Sequence, residues 1–218
     1  MAAGDFTGDG VPDALVAPGP GSGPLVRVLD GRTGATVPGT LGGFWAFEPT
    51  FLGGVEVAAG DVDGDGTPDV IAAATRGSGP EVRVFSGANG QLVAHFLVAD
   101  PDFAGGITVA AGDLNGDGRA EVAVGAGGAP RVRVYDPLTG AAIGGALGSV
   151  QAFDAGGAFL GSDALAGDVD GDGVPDLAVG SGTGSRVRVF SGATGATLLD
   201  LAPFGPGAPG GGARPSRT

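Results

Sequence analysis

The 218-residue sequence has no cysteine and no lysine, and only one histidine, one tryptophan, one tyrosine and one methionine. Without cysteine there is no disulfide framework and no reading of redox compartment, so stability must come from packing and from bound ligands. No apolar run approaches the ~18 residues that cross a bilayer, so no membrane insertion is expected of this chain. All 11 basic residues are arginines and they form no stripe. A surface that neutralises phosphates is therefore missing, and nucleic acid is not an expected partner. No segment carries the apolar period of a helix.

What the chain has instead is glycine, 48 residues of it, and acid, 24 residues against 11 basic ones. The glycines recur at fixed places, which points to many tight turns rather than to a flexible linker. The acids are concentrated as well. Residues 61–69, DVDGDGTPD, place a carboxylate at alternate positions and then bend at Gly66, where a Cβ would obstruct the turn. Alternate positions of such a loop face inward together. Asp61, Asp63 and Asp65, the Thr67 carbonyl, Asp69 and water form the oxygen set expected around Ca²⁺, which takes ~6 to 8 oxygens.

This loop is written four times, as DFTGDGVPD at 5–13, DVDGDGTPD at 61–69, DLNGDGRAE at 113–121 and DVDGDGVPD at 168–176. The first positions lie 56, 52 and 55 residues apart, within the period range of repeat architectures. The four loops hold 14 of the 24 acids, and the rest of the chain has 10 acids against 11 bases. The net charge of −13 is thus a property of the loops, and four bound Ca²⁺ would reduce it to −5. An EF-hand loop would continue into a helix and close with an acid at position 12. Here the acid closes at position 9, and a β-rich stretch such as ValIleAlaAlaAla (70–74) follows.

Each unit continues in the same grammar of short strands and Gly-rich turns. After the second loop come 70–74, a turn at 76–80, GluValArgValPhe at 81–85, a turn at 86–90 and LeuValAlaHisPhe at 92–96. The pattern predicts an all-β fold, a β-propeller of about four four-stranded antiparallel blades. The predicted units are 1–47, 48–99, 100–154 and 155–203, with a Gly/Pro-rich disordered tail at 204–218. An open arc of a larger propeller is the alternative to a closed four-bladed ring. Phe51, Phe103 and Phe159 are read as wedges in the linkers between blades, and Trp45 and Phe47 as linker residues belonging to the core. The repeated Val-Arg-Val at Arg27, Arg83, Arg133 and Arg188 reads as strand alternation with solvated or paired charges, rather than as a ring of anion-binding groups.

At these loops the chain resembles the FG-GAP/VCBS repeat family, the calcium-loop propellers that include integrin alpha headpieces and many bacterial surface and secreted proteins. The resemblance covers about residues 1–203. It implies one Ca²⁺ per blade, up to four, held in the loop between a blade's first and second strands. Carried over by position, the ligands are Asp5, Thr7, Asp9, the Val11 carbonyl and Asp13; Asp61, Asp63, Asp65, the Thr67 carbonyl and Asp69; Asp113, Asn115, Asp117, the Arg119 carbonyl and Glu121; and Asp168, Asp170, Asp172, the Val174 carbonyl and Asp176. Thr7 and Glu121 depart from the pattern, so the first and third sites are expected to be the weaker pair.

The resemblance implies a non-enzymatic, extracellular, cell-surface or periplasmic binding or adhesion scaffold, with a protein or glycan as ligand and calcium in a structural role. A propeller domain of a glycan-active hydrolase or lyase is the alternative. Acids outside the loops, such as Glu48, Glu56, Glu81 and Asp154, show no paired motif for acid and base roles.

MetAlaAlaGlyAsp at the start aligns with ValAlaAlaGlyAsp at 57–61, so the first strand is expected to be truncated and the chain to be an N-terminally clipped fragment that lacks further blades. Sequencing upstream of Met1 should reveal an open frame that encodes the start of that strand; a stop codon directly before Met1 would overturn this.

Overall fold

The computed structural model describes residues 1–75, 77, 79–98, 106–161, 164–165, 167–182 and 185–203. It consists of four antiparallel four-stranded meanders. Blade 1 contains β1 (Ala2–Gly4), β2 (Asp13–Val16), β3 (Leu25–Leu29) and β4 (Phe44–Trp45). Blade 2 contains β5 (Val55–Gly60), β6 (Asp69–Ala74), β7 (Glu81–Phe85) and β8 (Leu92–Leu97). Blade 3 contains β9 (Ile107–Gly112), β10 (Glu121–Ala126), β11 (Ala129–Tyr135) and β12 (Ser149–Gln151). Blade 4 contains β13 (Ala158–Phe159), β14 (Leu177–Ser181), β15 (Val187–Phe190) and β16 (Thr197–Leu201). The helical content among the described residues is one short 3₁₀ turn, Thr40–Gly42.

The inner strands β6 and β10 are buried along their whole length. They read as unbroken apolar runs because both faces are covered, which removes the polar alternation of a half-exposed strand. On β6, Val70 and Ala72 pack in a core shared with blade 1, while Ile71 and Ala73 pack in a core shared with blade 3. A third core joins Val132, Val134 and Val150 of blade 3 to Leu160, Leu177 and Phe190 of blade 4. The outer strands β8 and β16 are largely exposed. At the inner end the blades crowd closely: a Cβ on Gly60 would meet the Ala120 and Ala111 Cβ atoms at 2.8 and 2.9 Å.

First strands pack in sequence, β1 on β5 and β5 on β9, and β13 packs on β10 and β11. No core joins blade 4 to blade 1 among the described residues. The four sheets form an open arc rather than a closed ring. β1 is three residues long, against six in β5 and β9.

Phe159 does not sit in a linker. It lies on β13 and pairs with Gly180, so the linker reading of Phe159 is corrected. The sequence comparison slipped because blade 4 has extra residues between β13 and its loop: Asp61 follows Gly54 by seven positions, whereas Asp168 follows Gly157 by eleven. Hydrogen bonds from Thr75 N–H to Gly54 O and from Gly182 N–H to Gly157 O identify the two glycines as equivalent. The true linker aromatics are Phe47, Phe51 and Phe153; Phe47 and Phe153 are each 4% exposed. Trp45, expected in the core, is 50% exposed on β4. Phe103 and the tail lie outside the described residues.

The arginines of Val-Arg-Val fasten blades together. Arg83 donates from Nη1 to the Ala46 carbonyl of the preceding linker at 3.1 Å, stacks 4.8 Å over the Phe47 ring and pairs with Glu81 at 2.7 Å. Arg188 repeats this with the Ala152 carbonyl at 2.8 Å, the Phe153 ring at 5.6 Å and Asp200 at 3.0 Å. Arg27 on blade 1 is exposed and makes no such contact. Replacing Arg83 with Met keeps the apolar stem but removes the guanidinium, and should cost about 1–2 kcal/mol in urea unfolding. Arg27→Met should cost less than about 0.5 kcal/mol. Equal costs would overturn the fastening role.

Candidate metal centre

Each loop joins the first strand of a blade to the second. The backbone can fold back on itself within nine residues because two glycines per loop take positive φ, for example Gly64 at 80° and Gly66 at 88°. The sequence identified Gly66 as the bend, and the structure adds Gly64.

The first acid of each loop organises its backbone. Asp61 accepts N–H bonds from Gly64 at 2.7 Å, Asp65 at 3.1 Å and Gly66 at 2.8 Å. Asp5, Asp113 and Asp168 do the same for their own loops. These bonds, led by Gly10 N–H for Asp5 and Gly173 N–H for Asp168, hold both carboxyls below the usual 3.8. A depressed pKa contributes stability that is present above the unfolded value and is lost as pH falls through the folded one.

The closing acid is buried and binds the loop to the rest of the blade. Asp69 accepts from Val62 N–H at 2.9 Å and, across the blade, from Gly87 N–H at 2.8 Å. Asp13 and Asp176 make the equivalent bonds to Phe6 and Gly31, and to Val169 and Gly192. A Cβ at Gly87 would overlap the Pro68 carbonyl oxygen. The third blade departs at three coupled positions. Glu121 replaces Asp, Ala120 replaces Pro, and Pro137 stands where the other blades have that glycine. Pro137 has no N–H to give, and the longer Glu121 accepts instead from Leu114 N–H at 2.8 Å and Asn115 Nδ2 at 2.8 Å.

The middle acids differ among the loops. Asp61, Asp63 and Asp65 bring carboxylate oxygens within 4.8 Å of one another, as do Asp168, Asp170 and Asp176. Asp63 and Asp65 each accept one backbone N–H through Oδ1, from Asp65 at 3.1 Å and Thr67 at 2.7 Å. Asp170 and Asp172 do likewise, from Asp172 at 3.2 Å and Val174 at 2.9 Å. In the first loop Thr7 turns its hydroxyl to Asp5, Asp9 pairs with Arg32 at 2.5 Å, and Val11 N–H bonds Asp9 at 2.8 Å. In the third, Asn115 donates to Asp117 at 3.1 Å, and Arg119 N–H bonds Asp117 at 2.9 Å. Among the described residues no acid triad of the same closeness forms in these two loops.

Burial pushes the Asp69 and Glu121 carboxyls up, and neighbouring loop acids add to the rise. Desolvation, reinforced by Asp172, Asp176 and Asp168, raises Asp170 too. Crowded carboxylates with free oxygens, held in place by backbone N–H groups, fit a hard divalent cation. The donor chemistry suits Ca²⁺ best at the second and fourth loops.

A second concavity lies at the opposite end of the blades. It is a half-open cavity of about 440 Å³ lined by Glu56, Thr108, Phe159, Thr75 and glycines of the strand turns. No local motif marks it, because its walls come from all four blades.

The model for the FG-GAP-like repeat matches residues 5–72 and 61–124, and that for the FG-GAP repeat matches 105–146 and 160–198. No curated protein matches the sequence. Among solved structures, Saccharomyces cerevisiae Sqt1 superposes with a TM-score of 0.53 at 12% identity, covering 83% of this chain and 46% of that one. A Bacteroides caccae protein of unknown function gives 0.46 at 13% identity, covering 87% and 57%. The chain therefore spans about half the length of these structures.

Asp63→Asn and Asp170→Asn remove a charge while sparing the backbone bonds of Asp61 and Asp168. Each should weaken the tightest calcium binding about tenfold, or ~1.4 kcal/mol, in equilibrium titration. Because burial raises the Asp69 and Glu121 carboxyls, acidification should weaken calcium binding as they take up protons. Unchanged tight binding in both variants would refute the site assignment.

Proposed function

The chain belongs to the FG-GAP repeat family, and on that premise we propose that it is a non-enzymatic, calcium-stabilised scaffold that binds a protein or glycan outside the cytoplasm. The observation that carries this reading is the pair of carboxylate triads in the second and fourth loops, in register with two further loops of the same backbone design. Asp61, Asp63, Asp65, Asp69 and the Thr67 carbonyl would hold one ion, and Asp168, Asp170, Asp172, Asp176 and the Val174 carbonyl another. The weaker first and third sites would use Asp5, Thr7, Asp9, Asp13 and the Val11 carbonyl, and Asp113, Asn115, Asp117, Glu121 and the Arg119 carbonyl. The ion supplies positive charge that offsets carboxylate repulsion. The chain contributes the fixed oxygens and ties each loop through its closing acid to the blade.

Sites with a dissociation constant on the order of 10⁻⁵ M would fill in extracellular fluid and not in resting cytosol, which is in keeping with an extracellular or periplasmic setting. The cavity lined by Glu56 and Phe159 is in keeping with ligand binding: among the described residues its wall carries one carboxylate, Glu56, where glycoside hydrolysis uses a pair.

At a free calcium concentration about a hundredfold above the dissociation constant, each site contributes ~2.7 kcal/mol. Two filled sites would then shift the melting midpoint by roughly 10–20 °C. Circular dichroism melts in 2 mM calcium and in excess chelator test this. An unchanged midpoint would refute a structural role for calcium, and turnover of a glycan panel that is lost in Glu56→Gln would refute the non-enzymatic reading.

A further inference from the structure

The four loops differ in how far the polypeptide itself occupies their carboxylates. In the second loop Asp61 accepts N–H bonds through both oxygens, from Gly64 and Gly66, and Asp69 does so from Gly87 and Val62. Asp63 and Asp65 each accept through Oδ1, and their Oδ2 atoms meet no donor among the described residues. The fourth loop repeats this arrangement. Asp168 and Asp176 are bonded through both oxygens, while Asp170 and Asp172 keep Oδ2 open.

In the first and third loops every carboxylate oxygen is taken. Asp5 and Asp13 are bonded through both oxygens, like their counterparts. Asp9 accepts from Val11 N–H at 2.8 Å through Oδ1, and its Oδ2 pairs with Arg32 Nε at 2.5 Å. Arg32 Nη2 also donates to the Asp9 carbonyl at 2.8 Å, so the guanidinium holds that residue at two points. In the third loop Gly116 and Gly118 N–H groups bond both oxygens of Asp113, Arg119 N–H bonds Asp117 Oδ1, and Leu114 N–H bonds Glu121 Oε2. The Asn115 amide takes the two oxygens that remain. Its Nδ2 donates to Asp117 Oδ2 at 3.1 Å and to Glu121 Oε1 at 2.8 Å. Its Oδ1 accepts from Asp117 N–H at 2.8 Å, just as Asp63 Oδ1 accepts from Asp65 N–H, so Asn115 Nδ2 stands where Asp63 has its open oxygen.

The sequence carries the same division. The third loop position is an acid in Asp63 and Asp170, but Thr7 and Asn115 in the first and third blades. Arg32, in the turn between the third and fourth strands of blade 1, has Ala88, Leu138 and Ala193 as its counterparts. The two loops that lack the middle acid are therefore the two in which a side-chain N–H donor meets the acid at position five. Donors aimed at carboxylates offset their charge and repel a cation that approaches the same oxygens.

We infer that Arg32 and Asn115 take the place of the ion in their own blades, so that calcium fills the second and fourth loops while the first and third close on these two side chains. The inference rests on the calcium reading proposed above and adds which loops respond to the ion. An exposed ion pair contributes little to stability, so Arg32 acts on calcium selection rather than on the folding of blade 1.

Equilibrium calcium titration of the full chain, together with hydrogen exchange in calcium and in excess chelator, tests this. The wild type is expected to bind two ions at ~1 mM free calcium. Chelation should speed exchange at Gly64, Gly66, Gly171 and Gly173 and leave Gly8, Gly10, Gly116 and Gly118 unchanged. Arg32→Gln and Asn115→Asp should each tighten one weak loop at least ~tenfold and add a third ion, and the double variant should add a fourth. More than two ions in the wild type, or no added ion in either variant, would overturn the inference and leave the calcium reading standing. A wild type that binds no calcium would instead overturn the calcium reading, and the inference with it.

Discussion

A blade in this protein cannot stand alone, because its inner strands are apolar on both faces. Val70 and Ile71 are adjacent in sequence, point to opposite sides of β6 and are both fully buried, one toward each neighbouring blade. Burying a side chain of this size contributes about 1.5–3 kcal/mol, so a single blade would leave most of its stabilisation unrealised. That requirement sets the order of packing and the glycine at Gly60 where the blades converge. It also explains the arginines that carry the third strands of blades 2 and 4 back to the preceding linkers. Neighbours in sequence become neighbours in space, as in other repeat proteins.

The loops satisfy a separate requirement. Backbone N–H groups crowded into a nine-residue turn need acceptors, and carboxylates at the first and last positions provide them. Asp61 serves the loop itself, while Asp69 ties the loop to the turn between the third and fourth strands. The middle acids are then held close together without full neutralisation. The cation proposed above would act on that remaining charge, while the polypeptide has already fixed the oxygens.

The sequence made the loops and the strand count legible because both depend on spacing that the chain repeats. Position 9 of the loop and the strand alternation survive translation into the structure without change. Phe159 was misread because extra residues between β13 and the fourth loop moved the local pattern, and a repeat comparison sees only the pattern. Trp45 was placed in the core on residue type, but its strand is the outer edge, where a large side chain is free to face solvent. The arginine contacts were hidden for a different reason. Val-Arg-Val states which way the side chain points, whereas the partners, Ala46 and Phe47, lie far away in sequence and in another blade. The divergence of Asp5 and Asp168 from Asp69 and Glu121 in acidity follows from backbone N–H bonds to the first pair and burial of the second, neither of which a loop motif encodes.

The third blade shows that such repeats are not freely exchangeable parts. Glu121, Ala120 and Pro137 form a matched set in which a longer acid replaces a bond that proline cannot donate. A recombination event that broke the gene between codons 121 and 137 would join a short closing acid to a proline, or a long one to a glycine and its bulky neighbour. The first product would leave a buried carboxylate short of a partner, and the second would leave the glycine N–H without its acceptor. Duplication and shuffling of these units should therefore leave their scars in the linkers between blades, and the blade, not the acidic loop, is the smallest piece of this chain that can be inherited intact.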